Sequence, residues 1–298
     1  MSKYFQRIDS DNYPKKLIVA FVADLFFAVQ IEKVIDSLGY QIKWIESRDE
    51  IDAVGAAHPS RQLAEPLQGP IAALVDQLTR WQPVLLIFDL GNQSFPWREW
   101  IAIIKSSPAT RRIPVLCFGS HVETDTFKSA RAAGAEQVVA RSRFMASLPD
   151  LISKYARVLD RDAIEAACSE KPSPLALKGY EEFDRGEYFE AHETLEDAWN
   201  EDESAAKEVY RAILQVGVCY MQIQRGNYRG AKKMILRVRQ WLGQLPDQCR
   251  GVDIAALKDD IRVVSNSLDK LDPEQIDQFD GSLFRPLKYV SDSKSDIK

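Results

Sequence analysis

Histidine is scarce in this chain: three among 298 residues, His58, His121 and His192. A helical di-metal site built from two Glu-x-x-His motifs is therefore excluded, and the H-E-x-x-H spacing of zinc proteases does not occur. The four cysteines, Cys117, Cys168, Cys219 and Cys249, lie far apart with no CxxC pair. Neither a zinc site nor a disulfide is expected from them, and a reducing cytoplasm fits. No apolar run approaches the roughly 20 residues that a membrane span needs. The opening MSKYFQRIDSDNYPKK has no apolar signal core, so export is not expected. The net charge of −5 gives no whole-protein attraction to nucleic acid or anionic lipid. What is present is ordinary globular composition, 45% apolar and 28% charged, in a chain long enough for two cores.

Between residues 16 and 157 apolar runs alternate with amphipathic helices. Leu17–Val22 (LIVAFV) and Val84–Phe88 (VLLIF) are continuous apolar stretches, as a strand buried on both faces requires. Gln41–Ile45, Pro114–Phe118 and Gln137–Ala140 supply three more strands. Helical period covers Leu25–Leu38, Ile71–Trp81, Trp97–Ser106, Glu123–Ala133 and Phe144–Val158. The excursion His58–Pro70 contains three prolines and reads as irregular. Five strands alternating with helices predict a doubly wound parallel sheet with right-handed crossovers, over 15–158.

The segment IPVLCFGSHVETDTFKSARAAGAEQVVARSRF, with VLLIFDL before it, resembles the second half of a two-component receiver domain. The fold class this implies is a flavodoxin-like, receiver-like α/β domain followed by an all-α helical bundle. Asp89 falls on the receiver's phospho-acceptor. The acidic pair that would hold Mg²⁺ falls on Val22 and Ala23, with Asp24 one residue out of register. The hydroxyl position falls on Gly119, with Ser120 adjacent, and the lysine position on Arg141. A carboxylate without its metal pair is a poor phosphoryl acceptor, so a pseudo-receiver is expected, with no Mg²⁺ at Asp89.

The stretch 159–174 ends in Lys-Pro-Ser-Pro and reads as a linker. From Leu175 the pattern is helical: 175–184, 188–200, 204–224, 228–243 and 253–270, within a bundle assigned to 175–290. Gly186, Tyr188 and Ala191 match Gly226, Tyr228 and Ala231 at one offset, which suggests a helical-hairpin repeat. The helix 204–224 is apolar nearly all round and is expected to be central, with Asn227 as N-cap of the next. After Leu271 the chain turns polar, and 291–298 reads as a disordered tail.

Within this half, GEYFEAHETLEDAW and RGNYRGA are similar to the bacterial family called domain of unknown function 309. The resemblance carries over as Phe189, Glu190, His192, Glu193, Leu195, Glu196, Trp199, Gln215, Gly226, Asn227, Gly230 and Ala231. It implies a small helical bundle and no established activity. Helical phase groups His192 with Phe189, Leu195 and Trp199, which predicts a ring mostly buried against the 204–224 helix, with Gln215 as its partner. The expected function is a non-catalytic regulatory module whose bundle binds a protein or small ligand through Glu190, His192, Glu193, Glu196, Gln215 and Asn227. Neither nucleic acid nor membrane is an expected partner, a homodimer is allowed, and no cofactor is expected. The alternative is a metal-dependent hydrolase with a transition metal at His192, Glu190, Glu193 and Glu196.

Overall fold

The computed structural model describes residues 16–22, 24–45, 70–120 and 124–290. The calls on His58, His121, Ala23, the Pro-rich excursion and the tail after 290 lie outside them. The chain divides into two compact units, residues 1–158 and 159–298.

In the first unit the strands are β1 (Leu17–Phe21), β2 (Gln41–Trp44), β3 (Leu85–Asp89), β4 (Val115–Gly119) and β5 (Gln137–Ala140). All pair in parallel in the order β2-β1-β3-β4-β5, the doubly wound, flavodoxin-like order. Every residue of β1, β3 and β4 is buried, which is what their uninterrupted apolar sequence requires. One face packs Leu86, Phe88 and Cys117 beneath α2 (Pro70–Trp81) and α3 (Trp97–Ser106), where Trp100 is fully buried. The other packs Ile87, Leu116 and Phe118 with α1 (Leu25–Ser37). α4 (Thr124–Ala133) follows β4. The expected final helix is two helices, α5 (Arg141–Ala146) and α6 (Leu148–Tyr155), broken at Ser147. Ser147 leaves helical geometry at φ −123°, and Pro149 sits in the first turn of α6, where its missing N–H costs nothing.

The second unit is helical, with a short hairpin. The stretch read as a linker contains α7 (Arg161–Cys168), capped by Asp160, and its buried side chains belong to the helical core. Two helical hairpins follow: α8 (Pro174–Asp184) with α9 (Tyr188–Glu201), and α10 (Glu208–Gln224) with α11 (Tyr228–Leu242). α10 begins at Glu208 rather than 204, and is the most buried helix, as its apolar circumference predicted. Strands β6 (Gln248–Cys249) and β7 (Val252–Asp253) lead into α12 (Ile254–Leu268).

The repeat is geometrical as well as sequential. Gly186 and Gly226 both adopt left-handed backbone, φ +79° and +71°, and Ala191 and Ala231 are both buried. Either glycine replaced by alanine is expected to cost about 1 kcal/mol, from the left-handed backbone alone. Gly179 is held to its size by packing: a Cβ there would stand 2.6 Å from Leu195 Cγ. Gly179→Ala is therefore expected to force α8 and α9 apart at a cost of about 1–3 kcal/mol, read from denaturant midpoints.

The cysteine reading is corrected. Cys168 at the end of α7 and Cys249 in β6 form a disulfide across a sequence separation of 81, and Cys117 and Cys219 are free and buried. Spacing in the sequence could not show this, because the pairing is made by the hairpin folding back on α7. Arg250 extends the same clamp. Its backbone N–H donates to Cys168 O at 2.7 Å, and its guanidinium reaches Glu170 (2.9 Å), Lys171 O (3.1 Å), Asp202 (3.2 Å) and Ser204 Oγ (2.9 Å).

Candidate functional site

Two places in the fold carry the sequence-derived candidates, one in each unit, and they are built differently.

At the C-terminal edge of the parallel sheet, where doubly wound folds place their chemistry, β3 ends in Asp89 and β5 passes directly into α5 at Arg141. Asp89 is 4% exposed. Its Oδ2 accepts from Arg141 Nη2 at 2.7 Å and its Oδ1 from Gly91 N–H at 3.0 Å. Arg141 also reaches Asp24 Oδ2 at 3.3 Å, while its guanidinium lies over Phe27 (4.9 Å) and Phe118 (5.6 Å). Two aromatic faces and two carboxylates therefore fix the cation over the acid. Burial pushes the Asp89 carboxyl above its ordinary range, against the Gly91 N–H and the Arg141 charge, which lower it.

The residues present do not fit a magnesium ion at Asp89. Val22 is buried and apolar where a first carboxylate would be needed. Asp24 is committed twice, its Oδ1 accepting from Phe27 N–H at 3.2 Å as N-cap of α1, its Oδ2 facing Arg141. Among the described residues, no group of three or more histidine, cysteine or acidic side chains could hold a metal ion. The hydroxyl position is closed as well: a Cβ on Gly119 would meet Phe127 at 3.2 Å and Leu90 Cβ at 3.3 Å. Ser120 is exposed just beyond β4.

Removing Arg141 has a pH signature. Arg141→Ala deletes one of the influences that hold the Asp89 carboxyl down and leaves the burial, so the carboxyl rises further. A raised carboxyl contributes stability that is fully present below the unfolded carboxylate pKa and is lost as pH rises through the folded value. The variant is expected to lose roughly 1–3 kcal/mol at neutral pH, discounted because the arginine is 42% exposed, and less on acidification. Denaturant melts across pH 3–8 read this; an equal loss at every pH would contradict it.

In the helical unit the expectation that Gln215 partners His192 is corrected. The packed face of α9 is Tyr188, Ala191, Thr194, Leu195 and Ala198, and Phe189 is 53% exposed. His192 is partly buried, at the margin of that face. The reason is size: alanines and Gly179 let α8 and α9 approach along the small-residue line, and the aromatic Phe189 is turned out. Glu190, Glu193 and Glu196 are exposed. Gln215 does not pair with His192; its Oε1 is buried without a hydrogen-bond partner, as is Trp199 Nε1. Arg211, which sequence reasoning missed, joins α9, α10 and α11: its guanidinium lies 3.7 Å from the Trp199 ring centre and 4.6 Å from that of Trp241. Asn227 caps α11 through Gly230 N–H at 2.9 Å and donates to Gln222 Oε1 at 2.7 Å. Gly230 is needed there, since a Cβ would stand 2.5 Å from Asn227 Nδ2.

Comparison with known proteins follows the two units. Residues 176–234 match the family model described as "Domain of unknown function (DUF309)". No curated protein matches the chain. Among solved structures, a response regulator from Hahella chejuensis is 17% identical, with a TM-score of 0.37, covering 48% of this chain and 96% of that one. The phosphorylated cyanobacterial phytochrome response regulator RcpA is 15% identical, with a TM-score of 0.34, covering 47% and 93%. The signal receiver domain of a DNA-binding response regulator from Colwellia psychrerythraea 34H is 19% identical, with a TM-score of 0.34, covering 46% and 98%. Among the described residues no helix is long and apolar enough to cross a membrane. The chain carries a five-stranded, doubly wound parallel α/β domain, similar in fold to these receiver structures, followed by a helical region containing the stretch that matches DUF309.

Proposed function

We propose that this chain is a non-catalytic regulatory protein, in which a receiver-like domain without phosphotransfer accompanies a helical bundle that binds a protein or small ligand. One observation carries the first half. Asp89, the residue at the acceptor position, has both carboxylate oxygens engaged, Oδ2 by Arg141 and Oδ1 by Gly91 N–H, and the nearby Asp24 caps α1 and faces Arg141. Phosphoryl transfer to a carboxylate needs a free oxygen in line and a metal that neutralises the developing charge. Here a guanidinium holds that oxygen, and the carboxylates left are too few for Mg²⁺. A receiver-like domain of this kind acts as a fixed scaffold whose surface, not its chemistry, is read.

The helical half is supported by its build. Hairpin repeats present continuous surfaces made by successive first or second helices, and such surfaces bind extended partners. The candidate residues Glu190, Glu193 and Glu196 lie on an exposed acidic face of α9, suited to recognition.

Calorimetric titration of the full chain with magnesium chloride tests the reading. The expected result is heat of dilution alone. A saturable isotherm that disappears in Asp89→Asn would overturn it.

A further inference from the structure

The second helices of the two hairpins carry opposite charge. α9 holds five acids, Glu190, Glu193, Glu196, Asp197 and Glu201, and no lysine or arginine. α11 holds five bases, Arg229, Lys232, Lys233, Arg237 and Arg239, and no acid. The 40-residue offset of the repeat sets Glu193 against Lys233 and Asp197 against Arg237, so equivalent positions differ in sign.

These charges do little for the fold of a single copy. All five acids are exposed, and among the described residues none makes a side-chain hydrogen bond or ion pair. On α11, Lys232 is held by Asp269 and Arg239 by Ser265. Arg229 and Arg237 make no such bond among the described residues, and Arg229 Nε is buried without a partner. Like charges three or four residues apart on a helix repel, as Glu193 and Asp197 do. Glu201 at the C-terminal end of α9 and Arg229 in the first turn of α11 also oppose the helix dipoles. Such a pattern weakens each helix on its own and is relieved only by opposite charge from outside.

The two helices lie level on either side of α10. Arg211 of α10 stands 3.7 Å from the ring centre of Trp199 on α9 and 4.6 Å from that of Trp241 on α11. As second helices of successive hairpins they run in the same direction. Phe189, 53% exposed, is the repeat equivalent of Arg229.

We propose that the face formed by α9 and α11 binds a second copy of this chain in a closed, two-fold pair. The charge pattern selects the symmetry axis. A two-fold axis lying across the helices would set α9 on α9, acid on acid. An axis running along them sets α9 of each copy on α11 of the other and keeps residues at their level. Asp197 then meets Arg237 of the second copy, and Phe189 lies beneath its Arg229, each contact occurring twice. Exposed ion pairs are individually weak, so the pair is held by their number and loosened by salt. This rests on the reading of the helical domain as a binding module, names its partner, and involves neither Asp89 nor the disulfide.

Sedimentation velocity of the full chain over a concentration series tests it. The wild type is expected to form a dimer whose Kd rises at least about tenfold between low and high salt. Glu193→Lys with Asp197→Lys, and separately Arg229→Glu with Arg237→Glu, are each expected to weaken it by at least about tenfold. An equimolar mixture of the two variants is expected to dimerise again, since each then offers the charge that the other lacks. Should the arginine variant fail to fold, the salt dependence and the α9 variant decide alone. A wild type that stays monomeric would overturn the proposal and leave ligand binding by the helical domain standing. A dimer retained by a folded α9 variant would place the contact elsewhere and overturn it. Growth into longer oligomers would show a head-to-tail contact and overturn the closed pair. A magnesium isotherm at Asp89 would contradict the receiver-like reading and leave these results untouched.

Discussion

Reduction of the Cys168–Cys249 bond is expected to cost the helical domain about 2–4 kcal/mol, the usual range for a long closed loop. The bond joins residues 81 apart, so the unfolded chain without it regains the freedom of a large loop. Its partners in the folded state are also few. α7 is a short helix whose buried residues are Ile164, Ala167 and Cys168, and beyond them it is held by Arg161 to Gln244 O and by the Arg250 clamp. Cys168→Ser should therefore lower the denaturant midpoint of the helical domain and leave that of the α/β domain unchanged, since domains unfold by their own cores. Thiol titration of the denatured, unreduced protein is expected to count the two free cysteines, Cys117 and Cys219. Four reactive thiols, with a midpoint indifferent to reductant, would show the bond absent.

The second large effect separates the two residues that the sequence placed on one face of α9. Leu195→Ala is expected to destabilise by about 3 kcal/mol, because Leu195 is fully buried against Gly179 and its removal leaves a cavity that a close helix pair cannot collapse. His192→Ala is expected to cost less than about 1 kcal/mol, since the residue lies at the margin of the packed face and no hydrogen bond holds its ring among the described residues. The two melts form a contrast independent of the absolute scale. Equal losses would restore the histidine to the core.

That contrast also shows where sequence reading succeeds. The strands β1 and β3 were legible because a strand buried on both faces must be apolar throughout, as LIVAFV and VLLIF are, whereas the edge strands β2 and β5 are only partly buried and were read from their place in the alternation. Asp89 and Arg141 were legible together only through the receiver resemblance, since they lie 52 residues apart and their ion pair spans the C-terminal ends of β3 and β5, with β4 between them. Asp24 carried a usable local signal, an acid before an apolar-periodic helix, and it caps α1. α9 was misphased because periodicity weighs large side chains, whereas close helix packing here selects alanine, threonine and glycine. Phe189 counted towards the wrong face for that reason. The segment 279–290 was passed over because a polar, Pro-containing stretch has no periodicity, and the stacking of Phe284 on Tyr220 exists only once the helices are packed. The disulfide was invisible for a related cause: nothing in the spacing of Cys168 and Cys249 encodes the return of β6.

Treatment with acetyl phosphate tests most directly the proposal that Asp89 takes no phosphoryl group. The full chain is incubated with excess acetyl phosphate and Mg²⁺, and its intact mass is recorded beside Arg141→Lys and Asp89→Asn. No phosphate is expected on the wild type, because Arg141 holds Asp89 Oδ2 and neither Val22 nor the capped Asp24 can carry the metal. A stoichiometric adduct on the wild type, absent from Asp89→Asn, would contradict it.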